Sequence, residues 1–392
     1  MKSFAGVHRH LGNGIQELTP GRQTCSTMAR ASGSVLVITL WAMFGLVSLT
    51  LYFGQSMSVE MKTAENRAAA TAASQVLEGG ARYAGHLLNN LVIPGQLPTS
   101  AEYRSQASRV GEGAFWFIGR EDASLPSNHP YFALTDESAK LNINYATLQQ
   151  LELLPMMNSS LAAAIIDWRD SDQEITSGGA EDETYSRLTP PYRAKNSNFE
   201  SIEELRMVFG MTRELLYGED ANLNGILDPN ENDGDASLPL DNRDGRLDAG
   251  ILEYVTVQTT SPTGQTRVLV NANTASEAVL TCIPGLGEDN AATLVSYRRS
   301  HPNELSSAQW ISDALQGTSI GNAMAYLTNT SSFFSADIAA VGRHGRGYRR
   351  EKFFFDSSSG TAQIVGRQDL TGLGWALGQE ARSALAQLKE AQ

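Results

Sequence analysis

An α+β fold built on one long N-terminal helix, with a small antiparallel sheet and a large helical insertion, is predicted from three observations. Residues 34–54 read SVLVITLWAMFGLVSLTLYFG, an uncharged apolar run. The run continues without a Pro or Gly cluster into a stretch rich in Ala, Glu, Lys, Leu and Arg, with Val76, Leu77, Tyr83 and Leu87 at helical spacing. Strand-like segments then lie on both sides of a long helical block, so the sheet is expected to be interrupted by it.

The apolar run is long enough, at about 1.5 Å per residue, to cross a bilayer core. Residues 1–33 carry Lys2, Arg9, Arg22 and Arg30 against Glu17, or +3, and the rest of the chain carries −16 of the net −13. Basic residues before the span and an acidic body after it predict a cytoplasmic N-terminus and an exported body. A secretory signal would end in a small-residue A-x-A site, but Tyr52-Phe53-Gly54-Gln55 stands there instead. The candidate processing point therefore precedes the span, at Gly33–Ser34. Removal of a basic leader there, leaving the apolar helix as the new N-terminus, is how pilin-like subunits mature; a plain signal anchor is the alternative. Cys25 and Cys282 lie on opposite sides of that point, so no disulfide is expected to staple the body.

The expected organisation is a leader at 1–33, a membrane half of the helix at 34–54 and an amphipathic half at 55–93. The first part of the sheet follows at 94–138, the helical insertion at 139–330, the second part of the sheet at 331–370 and a tail at 371–392. Ala114–Ile118, Tyr131–Leu134, Phe333–Val341, Tyr348–Asp356 and Ala362–Val365 read as strands. Trp375–Gln392 reads as a short helix. Inside the insertion, L-N-I-N-Y-A-T at 141–147 and V-N-A-N-T-A-S at 270–276 each precede an apolar helix, a Pro-containing turn and a second helix ending in Trp168-Arg169 or Tyr297-Arg298. Thr147, and Thr274 or Ser276, are the expected caps. This is the pattern of a helix–hairpin–helix unit. Glu288 and Asp289 follow the Pro284-Gly285-Leu286-Gly287 turn, and the first copy has no glycine there. With an acidic body as well, binding of nucleic acid is not expected.

The sharpest chemical motif is Asp220-Ala-Asn222-Leu-Asn224-Gly225-Ile226-Leu-Asp228-Pro-Asn-Glu231, which matches D-x-[DN]-x-[DN]-G-x₅-E throughout. Calcium takes six to eight hard oxygens. Asp220, Asn222 and Asn224 would offer side-chain oxygens, Ile226 its carbonyl, Asp228 a direct or water-bridged contact, and Glu231 a bidentate carboxylate. A helix enters the loop (Thr212 to Tyr217), but Asn232-Asp233-Gly234-Asp235 is a poor exit helix, so the ion is read as structural. Asp241, Asn242, Asp244 and Asp248, completed by Glu253, form either a degenerate second site or a turn. Ten carboxylates against two arginines between Glu219 and Glu253 predict strong self-repulsion without cations. No nucleophile elbow, zinc-helix or Walker motif occurs, and the six histidines are scattered, so no active site is read and an enzyme is not expected.

Taken together, the leader, the apolar helix, the split sheet, the repeats and the acidic loop resemble the protein K family of the type II secretion system, its largest minor pseudopilin. The most specific residues are LNINYATLQQLELLP, SIEELRMVFGMT, DNRDGRLDAGILEYVTV and VNANTASEAVLTCIPGLG. Counting from Ser34, the fifth position is Ile38, where most pilin-like subunits have Glu; this family lacks that Glu, as suits a subunit at the tip. The resemblance implies a tip complex with minor pseudopilins I and J that starts assembly and contributes to export across the outer membrane. It also implies processing and methylation by prepilin peptidase, Ca²⁺ in the insertion, contact with secretin or cargo, and an inner-membrane anchor with a periplasmic body. The leader is longer than this family's usual ones, with Met28 an alternative start. A membrane-anchored calcium-binding adhesion protein would explain the span and the loop, but not Ile38 together with the split sheet.

Overall fold

The computed structural model describes residues 32–120, 130–257, 269–316 and 321–390. The expected leader up to residue 31 lies outside the described residues. The chain divides into two units, residues 1–62 and 63–392.

The first unit is the leading part of helix α1 (Ser32–Asn89), which runs without interruption into the second. Its apolar side chains, among them Leu36, Ile38, Trp41, Phe44 and Phe53, are exposed within the chain. The hydroxyls of Thr39 and Thr50 donate back to carbonyls one turn earlier, Leu36 and Leu46, at 2.9 and 3.0 Å. These two hydroxyls are thus satisfied within the helix itself.

In the second unit, strands β1 (Ser108–Val110) and β2 (Gly113–Ile118) form a hairpin, followed by the short β3 (Thr135–Asp136). After the insertion come β8 (Phe333–Val341), β9 (Arg349–Asp356) and β10 (Gln363–Asp369), the numbers 4 to 7 falling to short strands within the insertion. The antiparallel order is β1-β2-β8-β9-β10. β2 pairs residues 337–341 of β8, and β3 pairs residues 334–335 of the same edge. The expected mixed fold with a long helix and a small antiparallel sheet is observed. The expected strand at Tyr131–Leu134 is not: these residues cross behind Gly119, whose N–H donates to the Tyr131 carbonyl, and Tyr103 Oη takes the Leu134 N–H at 2.8 Å. Of this part of the chain, only Thr135 and Asp136 in β3 pair with β8.

All nine residues of β8 are buried because both faces of the sheet are covered. On one face Val76, Leu77, Ala81, Ala84 and Leu88 of α1 pack on Phe115, Phe117, Phe334, Ile338, Phe353 and Phe355. On the other, Trp116, Ile118, Ala339 and Val341 meet Ala376 and Leu377 of the tail. Gly347 sits at φ +72° with its Cα against the helix; a Cβ there would lie 2.3 Å from the Ala69 backbone, so the β8–β9 turn can close on α1 only through glycine.

The insertion has its own core. Strand β4 (Leu141–Asn142) pairs in parallel with β5 (Val255–Thr256), and β6 (Val270–Asn271) with β7 (Leu327–Thr328). Between them lie two matching helix pairs: α2 (Leu148–Glu152) with α3 (Ser159–Arg169), and, after α4 (Asp182–Tyr185) and α5 (Arg213–Tyr217), α6 (Glu277–Thr281) with α7 (Glu288–Ser300). Helix α8 (Gln309–Ala314) follows, and α9 (Gly378–Glu390) lies in the tail. Thr147 caps α2 in a capping box with Gln150, and Ser276, not Thr274, caps α6. The repeat is physical as well as textual. Arg169 donates to the carbonyls of Ile143 and Ala146, and Arg298 to those of Ala272 and Ala275. Each N-x-N segment is therefore locked by the arginine that ends its own second helix. Thr274 instead joins Asn271 in donating to Asp136, each at 2.7 Å, and Glu137 takes Lys352 at 2.7 Å. Lys140 and Lys352 hold the Glu137 carboxyl down at about 2 against the effect of burial. These buried acids at the end of β3 fasten the insertion to the sheet.

Candidate metal centre

Helix α5, capped by Thr212, ends at Gly218, and the acidic loop begins two residues later. Local chemistry makes the loop. Asp220 accepts the N–H groups of Asn224 and Gly225 at 2.9 and 2.8 Å, and Asn224 accepts that of Ile226 at 2.8 Å. These are the short side-chain-to-backbone turns that Asp and Asn favour. Gly225 takes φ +72° and packs on the Arg120 side chain. Glu231 closes the ring, taking the N–H of Ala221 at 3.1 Å and of Asp228 at 3.0 Å with its two oxygens. Asn222 and Asn224 both donate to Asp228 Oδ2.

Asp220, Asn224 and Glu231 are buried. Burial, with Asp220 and Asp228 beside it, pushes the Glu231 carboxyl up to about 8, and burial raises that of Asp220 although Arg120 opposes it. Asn222 Oδ1 is buried without a hydrogen-bond partner. A cavity of about 260 Å³ opens there, lined by Asn222, Asp228, Glu231 and Trp375. Hard oxygens, with the unpartnered Asn222 Oδ1 among them, are the donor type that a cation such as Ca²⁺ takes. Asp220, Asn222, Asn224, Asp228 and Glu231 would hold it with the Ile226 carbonyl, and the ion would supply the positive charge that the loop lacks.

The second cluster is organised differently from the expectation. Glu253 does not join it: its Oε2 takes Arg120 Nε at 2.9 Å, and the same guanidinium lies 3.7 Å from Asp220. Glu219 fills the place instead. It accepts the N–H of Asn242 at 3.2 Å and of Asp248 at 3.0 Å, as Glu231 does in the first loop. Asn242 donates to Asp248 Oδ2 at 3.0 Å, repeating the Asn222–Asp228 contact, and Asp244 accepts the N–H of Arg246. Asp241 faces the N–H groups of Asp233 and Gly234. Glu219 was not singled out because it precedes both loops. Its adjacency to Asp220 puts it at their common mouth, which only the antiparallel bridge between Gly218 and Ala249 reveals.

Behind the first loop, Arg350 is fully buried. It grips Asp337 through two nitrogens (2.8 and 2.5 Å) and donates to the carbonyls of Asn222 and Leu223. A strand of the sheet thus holds the outer backbone of the loop.

The family model described as type II secretion system (T2SS), protein K, matches residues 127–217, which include β3 and the leading part of the insertion. Over this stretch the chain is similar to protein K. Similar stretches occur in the type II secretion system protein K of Pectobacterium carotovorum subsp. carotovorum (42% identity over 55 residues), Aeromonas hydrophila (44% over 71) and Klebsiella pneumoniae (36% over 84). These stretches cover 14%, 18% and 20% of this chain and 17%, 22% and 26% of the respective relatives. A chain of the GspK-GspI-GspJ complex from the enterotoxigenic Escherichia coli type 2 secretion system aligns over 82% of this chain and 98% of its own, at 15% identity and a TM-score of 0.45. The resemblance to protein K is borne out.

Proposed function

We propose that this protein is a minor pseudopilin of the type II secretion system, placed at the tip of the pseudopilus, where it starts assembly and contributes to export of folded proteins across the outer membrane. The observation that carries the reading is α1. One uninterrupted helix has an apolar, exposed leading half and a trailing half buried under an antiparallel sheet, in a chain similar to protein K over residues 127–217. Ile38, the fifth residue counting from Ser34, supports a tip location, since it offers no carboxylate to a neighbour's terminal amine. The bulk of the insertion supports it too, because it would obstruct stacking from above.

Its partners on this reading are minor pseudopilins I and J, with prepilin peptidase acting at Gly33–Ser34 and secretin or cargo as further contacts. The protein sits in the inner membrane with its body in the periplasm and has no catalytic role. The two helix pairs serve as helix–hairpin–helix packing units: Arg169 and Arg298 are spent on backbone carbonyls rather than offered to phosphates. The Asp220–Glu231 loop holds a structural Ca²⁺.

Mass spectrometry of the protein from membranes of cells with a working prepilin peptidase tests this. A chain beginning at Ser34 and heavier by one methyl group is expected. A chain that keeps its leader would make the protein a signal-anchored calcium-binding adhesion protein instead.

A further inference from the structure

The stretch similar to protein K contains three carboxylates that neither acidic loop uses. Asp167 lies in the last turn of α3, Asp170 just beyond it, and Glu181 immediately before α4. One oxygen from each falls within 4.8 Å of the others. Asp167 is 0% and Glu181 2% exposed, and Asp170 is half-buried. Asp167 Oδ1 accepts the N–H of Thr176 at 3.1 Å. Asp167 Oδ2, Asp170 Oδ1 and both oxygens of Glu181 have no partner.

Two buried acids and a half-buried one, with four unpartnered oxygens, are costly unless something positive sits among them. Arg169, the adjacent base, gives its hydrogen bonds to the carbonyls of Ile143 and Ala146 and acts on Asp170 only through its charge. Burial and the neighbouring Asp167 and Asp170 push the Glu181 carboxyl up to about 7. The chain also makes room for the group: Gly179 passes over Asp167 so closely that a Cβ would lie 2.1 Å from Oδ2. The donor set is all oxygen, without His or Cys, which selects a hard cation.

We infer that Asp167, Asp170 and Glu181 form a divalent-cation site, separate from the Asp220–Glu231 loop, that takes Ca²⁺ on four carboxylate oxygens. Glu181, with both oxygens free, would bind it in bidentate fashion, and backbone carbonyls or water would complete the shell of six to eight oxygens. The ion would tie the end of α3 to the start of α4 across the Asp170–Ala180 connection.

The test is native mass spectrometry of the full chain in detergent after dialysis against Ca²⁺, counting ions in the wild type, in D220N/E231Q and in D167N/E181Q. D167N/E181Q is expected to lose one ion per chain, both alone and combined with the loop substitutions. An unchanged ion count in both backgrounds overturns the site and means that the carboxylates share protons. Should D167N/E181Q not fold, Asp170→Asn at the half-buried position is expected to weaken the corresponding step of a Ca²⁺ titration by at least tenfold. A titration that superimposes on the wild type's overturns the site equally.

Discussion

Replacing Arg350 with alanine is expected to cost about 3–5 kcal/mol of stability, the usual result of removing one partner of a buried ion pair. Arg350 has no exposed surface, and the buried Asp337 would lose both of its hydrogen bonds to the guanidinium, keeping only the more distant charge of Arg120. The carbonyls of Asn222 and Leu223 would also lose donors, so the effect should reach the loop. Urea unfolding of the variant should show a lower midpoint with an unchanged slope. Replacing Asp337 and Arg350 together by apolar residues should recover most of the loss, because no unpaired charge then remains. If the single variant unfolds at the wild-type midpoint, this pair does not fasten the loop to the sheet.

Removing the cation proposed for the Asp220–Glu231 loop should have an effect of similar size. A ligand present at a hundred times its Kd adds about 2.7 kcal/mol to the folded state. In a body of this size that amounts to a fall of roughly 5 °C in Tm on chelation. Asp220→Ala and Glu231→Ala should lower Tm in calcium and abolish its response to chelator. The pH dependence should change sign with the ion. Without it, the folded Glu231 carboxyl takes up a proton at about 8 rather than 4.5, so its contribution is complete below pH 4.5 and lost as pH rises through 8. The raised carboxyls of Asp220, Glu219 and Glu181 act in the same direction. Tm in chelator should therefore fall between pH 5 and 8. With Ca²⁺ present the ionised form is the binding form, and Tm should rise over the same range. A chelated protein whose Tm is flat across this window, and equal to that with Ca²⁺, would mean that the loop holds no structural ion.

Such contrasts follow from how each feature is encoded. The apolar run of α1, the apolar and aromatic residues of β8 and β9 and the twelve-residue spacing of Asp220–Glu231 are local patterns. Hydrogen-bond geometry and side-chain period set them within a few residues, so reading along the chain suffices. The register of the N-x-N repeats was equally legible, and with it the terminal arginines Arg169 and Arg298, though not their task of bonding carbonyls more than twenty residues earlier. What folding alone decided is non-local. Glu219 rather than Glu253 meets Asn242 and Asp248 because an antiparallel bridge returns the chain to Gly218. Glu253 is drawn away by Arg120, more than a hundred residues earlier in sequence. The Tyr131–Leu134 run is apolar enough for a strand but finds the edge of β8 already taken by β2. Asp167, Asp170 and Glu181 look like ordinary surface acids until Gly179 folds over them and burial removes the water that would have solvated their charge. A sequence states the charge of each residue; only the fold sets how much of that charge water can still reach, and there the chemistry is decided.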